Sequence, residues 1–202
     1  MLIFRTLHTG VQHFNSTRVV RLDPTDLFDV TKAEQEAREQ VFELVQFLRE
    51  NIEGYEHCEL LSTAMETGVR ESRMILGEYT LTGEDLVACT KFPDSIALGN
   101  YDIDIHNPEG SGTSHYYFPK GQYYTIPLRA LQVKGMHNLL VAGRCLSATH
   151  EAQASVRIMP ICCCTGEAAG VAAAVALQNG TGTGDVNVAR VQDILRKNGA
   201  LL

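Results

Sequence analysis

A surplus of basic charge is missing: 17 lysines and arginines stand against 24 aspartates and glutamates in 202 residues, a formal net charge of −7. Nucleic acid and anionic membrane both need a clustered positive field, so neither is an expected partner. Also missing is an apolar stretch behind the opening MLIFRTLHTG. Without that export signal the expected compartment is the reducing cytoplasm, and the N-x-[ST] matches at Asn15 and Asn179 have no glycosylation to serve. There is no long unbroken apolar run. The nearest, about 159–177, is interrupted by Glu167, consists mostly of Ala, Gly and Cys, and reads as too short and too weakly apolar to span a bilayer. No C-x-x-C pair occurs among the six cysteines. Cys162, Cys163 and Cys164 are consecutive, so on a helix they point roughly 100° apart and cannot converge on one metal. The same geometry disfavours an iron–sulfur protein, and small packed thiols are the expectation. Finally, no G-x-G-x-x-G is present: NGTGTGDVN has no strand before it and its third glycine is misplaced, so it reads as a linker.

What is present suffices for a sizeable core, with 45% apolar residues. The first thirty residues look extended up to the DPTD break, and Thr31-Lys-Ala-Glu34 has the form of a capping box. The spacing predicts a helix from there to about Asn51, with Val41, Leu44, Val45 and Leu48 on its buried face. Residues 58–81 read as mostly strand, and Thr82-Gly-Glu-Asp85 opens a short second helix. SIALGNYDIDIH and HYYFPKGQYYTIPLRAL alternate as antiparallel strands around a loop rich in Gly, Ser and Asn. The last seventy residues change character: a strand at 138–142, a polar loop, a helix near 159–178 led by Pro160, and an amphipathic helix near 188–198. A strand apolar on both faces expects neighbours on both sides, and no other βαβ pattern here supplies them.

The chemistry-bearing residues fall in a few places. The start of the Pro160 helix carries free N–H groups and a positive dipole end, which suit an anionic group. Ahead of it, 143–158 brings Arg144, Ser147, Thr149, His150, Glu151, Ser155 and Arg157. In GVRESR, an extended backbone puts Glu71 and Arg73 on one face and Arg70 and Ser72 on the other. An arginine there can hold an anionic substrate with Glu71 orienting it; the alternative is a structural Arg–Glu ion pair. His106 and His150 are acid–base candidates by residue type, or simply hydrogen-bonding loop residues. Tyr124 is expected as a core or cavity-wall aromatic.

NLLVAGRCLSATHEAQASVRIMPICCCTGEAAGVAAA resembles the C-terminal flavin-binding segment of the FAD-dependent oxidoreductase family, two-dinucleotide-binding-domain flavoproteins distantly related to fumarate-reductase-type and heterodisulfide-reductase-A-like proteins. ETGVRESRMILGEYTLTGEDL and YTIPLRAL are similar to two further stretches of that family. The resemblance implies a mixed α+β and α/β fold. Residues 1–132 would form a substrate (cap) domain with a largely antiparallel sheet. Residues 133–202 would give the C-terminal strand–loop–helix of a Rossmann-like FAD-binding domain whose N-terminal half is absent. It further implies that Ala142, Gly143 and Arg144 lie near the ribityl and phosphate region, that Ser155, Arg157, Pro160 and Ile161 line the isoalloxazine, and that His150 joins this cofactor set. Arg70, Glu71, Arg73 and His106 form the catalytic set, with no metal. The implied activity is hydride transfer between a small-molecule substrate and FAD, which the isolated chain is expected to bind poorly. The alternative is a non-catalytic subunit completing a partner that carries the Rossmann half. Self-association, or that partner, is expected to cover the 138–142 strand and the Pro160 helix.

Overall fold

A computed structural model of the chain describes residues 2–106 and 113–202. Its contacts gather into two compact units, Met1–Val69 and Arg70–Leu202.

In the first unit β1 (Leu2–Arg5) and β2 (Gln12–Asn15) form an antiparallel hairpin with Ile3 opposite Phe14. The long helix α1 (Leu27–Asn51) begins ahead of the Thr31 box. Asp26 is the N-cap, its carboxylate accepting from the amides of Phe28 at 2.8 Å and Asp29 at 3.1 Å. A carboxylate at this end satisfies two orphan donors and meets the positive end of the helix dipole, which outcompetes the later threonine. Thr31 instead donates to the Leu27 carbonyl, and Glu34 accepts from the Thr67 hydroxyl at 2.7 Å. The face Val41–Leu44–Val45–Leu48 is spaced as expected, but only Leu48 is buried.

The second unit holds the core. α2 (Gly83–Val87) starts on the Thr82 capping box, with Thr82 Oγ1 accepting from the Asp85 amide and Asp85 accepting from the Thr82 amide. β3 (Ser95–Gly99) pairs antiparallel with β6 (Tyr124–Pro127), and β4 (Ile103–His106) pairs antiparallel with β5 (Thr113–Tyr116). The alternating strands therefore form, but as two separate ladders among the described residues rather than one larger sheet. The Gly/Ser/Asn loop lies at 107–112, outside the described residues. The 58–81 stretch forms no strand and bends at 65–66 and 78–79. Its end is held by single bridges, Gly77 to Val133 and Leu81 to Ala148, and by the Ile75 amide on the Cys145 carbonyl at 3.0 Å.

The C-terminal region corrects three expectations. Residues 138–142 form no strand: one bridge joins Leu140 to Gln132, and Val141 donates to Leu131 at 2.9 Å. Without a ladder on either side this apolar segment stays half-exposed. The polar loop contains a helix, α3 (His150–Val156), capped by the Thr149 hydroxyl on the Ala152 amide. The Gly-rich linker is packed. Thr183 donates its amide to the His137 carbonyl at 2.7 Å, and the buried Gln132 side chain donates to the Thr183 carbonyl at 2.7 Å. Gly182 sits so close that a Cβ would come within 2.6 Å of the His137 oxygen.

α4 (Met159–Asn179) carries Pro160 in its first turn and ends on Gly180 in the left-handed region, as its composition predicts. By length and composition this helix could cross a membrane, more than the sequence reading granted it. In this fold its Ile161, Thr165, Ala168, Ala172, Val175 and Ala176 are buried, and its other side is exposed. α5 (Val188–Lys197) packs against α4, with Val191 and Leu195 buried.

Candidate active site

Three elements bring charged groups together. The GVRESR run belongs to no helix or strand. The buried side chain of Gln153, on α3, donates to the Arg70 carbonyl at 2.9 Å and so fixes this run beside the helix. Arg157 is the residue that closes α3. On the neighbouring β4–β5 ladder, Asp104 and His115 stand directly opposite in register. One carboxylate results among two guanidiniums and an imidazole: Asp104 Oδ2 lies 3.5 Å from Arg157 and 4.0 Å from Arg70, and its Oδ1 lies 3.5 Å from His115 Nε2. Arg144 adjoins the group, its Nε donating to the Arg157 carbonyl at 3.4 Å. The Asp104 side chain is 12% exposed and that of Arg157 13%, so both are largely out of water. Burial first, then the like charge of Arg70, pulls Arg157 below the usual guanidinium range, while Asp104 opposes this.

The remaining candidate residues divide. Glu71 pairs with His150, Oε2 to Nδ1 at 2.6 Å, so the carboxylate of GVRESR is matched to an imidazole rather than to the arginine of an Arg–Glu pair. Arg73 is exposed. His106 ends β4, and its side chain is outside the described set. Ala142 and Gly143 begin a short 3-10 turn, Gly143 with φ +73°, and the Gly143 amide donates to Thr165 of α4 at 3.1 Å. Ser155 is fully buried: its hydroxyl lies 2.7 Å from that of Tyr124 and donates to the Tyr101 carbonyl. Tyr124 is a core residue, as expected, and burial raises its phenol above the ordinary range. Ile161 is buried and Pro160 exposed. Ile158 is the N-cap of α4 and makes no side-chain capping hydrogen bond. Burial pushes the Cys162 thiol up, but none of the six cysteines is fully buried and Cys145, Cys163 and Cys164 are exposed, so the expected set of packed thiols does not form. Among the described residues no cluster could hold a metal ion.

Sequence reasoning missed Asp104, His115 and Gln153. Asp104 had a signal in Tyr101-Asp-Ile-Asp-Ile-His106: alternation puts Asp104 on the polar face of the strand that carries His106.

A helix start without a side-chain cap thus follows directly in sequence on Arg157, which with Arg70 lies about the Asp104 carboxylate. The family described as FAD dependent oxidoreductase matches residues 1–195, and the chain belongs to it. Membership implies redox chemistry with a flavin. No curated protein and no solved structure matches the chain.

The arrangement fits one end of FAD better than the other. The open start of α4, with Arg144 and Arg157 ahead of it, suits the ring system, whose reduced form carries negative charge. No glycine-rich strand-to-helix turn for the pyrophosphate exists in the sequence.

Proposed function

We propose that this chain supplies the substrate-binding side and the flavin-facing helix of an FAD-dependent oxidoreductase that moves a hydride between a small organic substrate and FAD. FAD, when bound, supplies the hydride donor or acceptor. The chain's own residues bind and orient: Arg70 and Arg157 hold the substrate, Asp104 fixes both guanidiniums, and Glu71 with His150 forms a neighbouring pair able to move a proton. The observation that carries this reading is the convergence of Arg70 and Arg157 on Asp104 at the end of α3, directly ahead of α4. Residues 133–202 would then be the flavin-side segment and the residues before them the substrate side. The exposed side of α4, with Cys163, Gly166, Gly170 and Ala173, supports completion by a Rossmann half from elsewhere.

A flavin-loaded assembly, reconstituted with a Rossmann-half polypeptide, tests this. Arg70→Ala is expected to lower kcat/KM about a hundredfold, about 3 kcal/mol, with FAD still bound. Loss of flavin together with fold would assign the cluster to structure. A second reading, a non-catalytic subunit that completes its partner, draws on the same exposed side of α4; full turnover by Arg70→Ala would favour it.

A further inference from the structure

We propose that the tip of the β1–β2 hairpin docks into a groove on α1 of a second copy of this chain, and that two copies exchange tips reciprocally. Both surfaces lie wholly within the first unit. The tip is a built knob. Thr6 Oγ1 accepts from the His8 amide at 3.1 Å and donates to the Val11 carbonyl at 2.9 Å. The Val11 amide donates to the His8 carbonyl at 3.1 Å, and Gly10 completes the turn at φ +80°. These bonds hold the turn, yet the Leu7 side chain it carries is fully exposed. A leucine presented on a fixed backbone has little freedom left to lose on docking. The groove, about 270 Å³, lies between α1 and the segment that follows β2. Leu44 and Phe47 give it an apolar wall, and Ser16, Thr17, Gln40 and Glu43 line the rest. Gln40 fixes its shape: the side chain accepts from the Arg18 amide at 2.8 Å and donates to the Arg18 carbonyl at 2.9 Å. A cavity of about 150 Å³ takes a benzene ring, so this groove admits a leucine side chain.

Charge names the occupant. Residues 1–22 hold three arginines and no acidic residue, whereas 23–69 hold twelve acidic and three basic ones. Arg5 ends β1 two residues ahead of Leu7, and Glu43 lines the groove. Both are exposed, and among the described residues neither forms an ion pair. A knob flanked by a cation suits a groove rimmed by a carboxylate. Because one chain carries both halves, an exchange across a two-fold axis satisfies both and closes the assembly at two copies. Two hairpin tips bury less than the roughly 1,200 Å² of a tight interface, so the expected dimer is weak, with Kd about 10–100 μM.

Sedimentation equilibrium of the full chain from about 1 to about 500 μM tests this, and a monomer–dimer equilibrium is expected. Leu7→Asp should weaken the dimer at least about thirtyfold. At about 1 μM, where the chain is monomeric, urea unfolding of Leu7→Asp should match the parent, because the side chain already stands in water. Arg5→Glu and Glu43→Lys should each weaken the dimer at least about tenfold, since the two-fold axis counts every change twice. An equimolar mixture of these two variants should return to within about threefold of the parent, because the mixed pair restores opposite charges at both contacts. A monomer at about 500 μM, an assembly that grows past the dimer, a Leu7→Asp dimer as tight as the parent's, or a mixture no tighter than its components would overturn the proposal. If Leu7→Asp does not fold, Leu7→Ser takes its place: the dimer should weaken at least about tenfold, and an unchanged Kd overturns the proposal.

Discussion

Among the described residues up to Val69 a single one, Leu48, is buried, whereas Arg70–Leu202 contains a contiguous core running in sequence from Leu81 to Leu195. The first unit has the longest helix of the described structure and still buries almost nothing with it; Leu27, Phe28, Phe42 and Phe47 are all exposed. The second unit relies on short elements: β3–β6 has Tyr124 and Ile126 fully buried, and α4 is laid close against β3 by alanines. Charge follows the same division. The first unit carries twelve acidic and six basic residues, the second twelve and eleven. Helix length and caps thus make α1 a helix without giving it a core, because most helical stability in proteins comes from packing a face rather than from propensity. The arginine–Asp104 group belongs to the well-packed unit, where the low exposure of Asp104 and Arg157 strengthens their contact.

Cavity formation should break the comparison most sharply if it is wrong. Ile126→Ala in the second unit should cost about 3–4 kcal/mol in urea unfolding of the full chain, while Phe42→Ala in the first should stay within about 0.5 kcal/mol. Equal losses would mean that the first unit is packed after all. A finer contrast uses glycines. A Cβ at Gly99 would come within 2.4 Å of the buried Tyr124 hydroxyl, whereas one at Gly68 meets nothing within 4 Å. Gly99→Ala should therefore cost about 2 kcal/mol and Gly68→Ala less than about 0.5 kcal/mol, read from the same unfolding curves.

The smallest effect is alkaline. Burial first, then the hydrogen bond to Asp85, pushes the Tyr79 phenol up to about 12. Folding favours the neutral phenol, so this contribution is complete below about pH 10 and is lost as pH rises from there toward 12. Tyr79→Phe should shallow the loss of Tm across that window; an alkaline limb identical to the parent's would remove Tyr79 from the account.

The elements read correctly from the sequence are those whose local pattern and tertiary packing agree. α4 and α5 appear where periodicity and the Pro and Gly punctuation put them, and α2 starts on its capping box. The 138–142 segment failed because a strand needs partners and its pattern cannot show whether they exist; Leu140 finds a single bridge. α3 was hidden for another reason. Seven residues, HEAQASV, are too few for a clear period, and its Gln153, buried and donating to the Arg70 carbonyl, carries no signal of that contact in the sequence. Of the candidate site, the arginines were legible as residue types. Asp104 was not, because what gives it meaning is a register, Asp104 opposite His115, set by tertiary pairing.

The pinning of Thr183 has a practical consequence for anyone who alters this chain. Glycine-rich surface loops are the usual places to insert a tag, a cleavage site or a new terminus. Here the backbone at 182–183 is gripped from both sides, by the His137 carbonyl and by the amide of Gln132. The same loop leads from α4 into α5. An insertion between Gly182 and Thr183 would therefore act as a core lesion and loosen the docking of α5 on α4. The chain after Gly199 is held as well: the Ala200 amide donates to the Leu195 carbonyl at 3.0 Å, and Ala200 and Leu202 pack against the core.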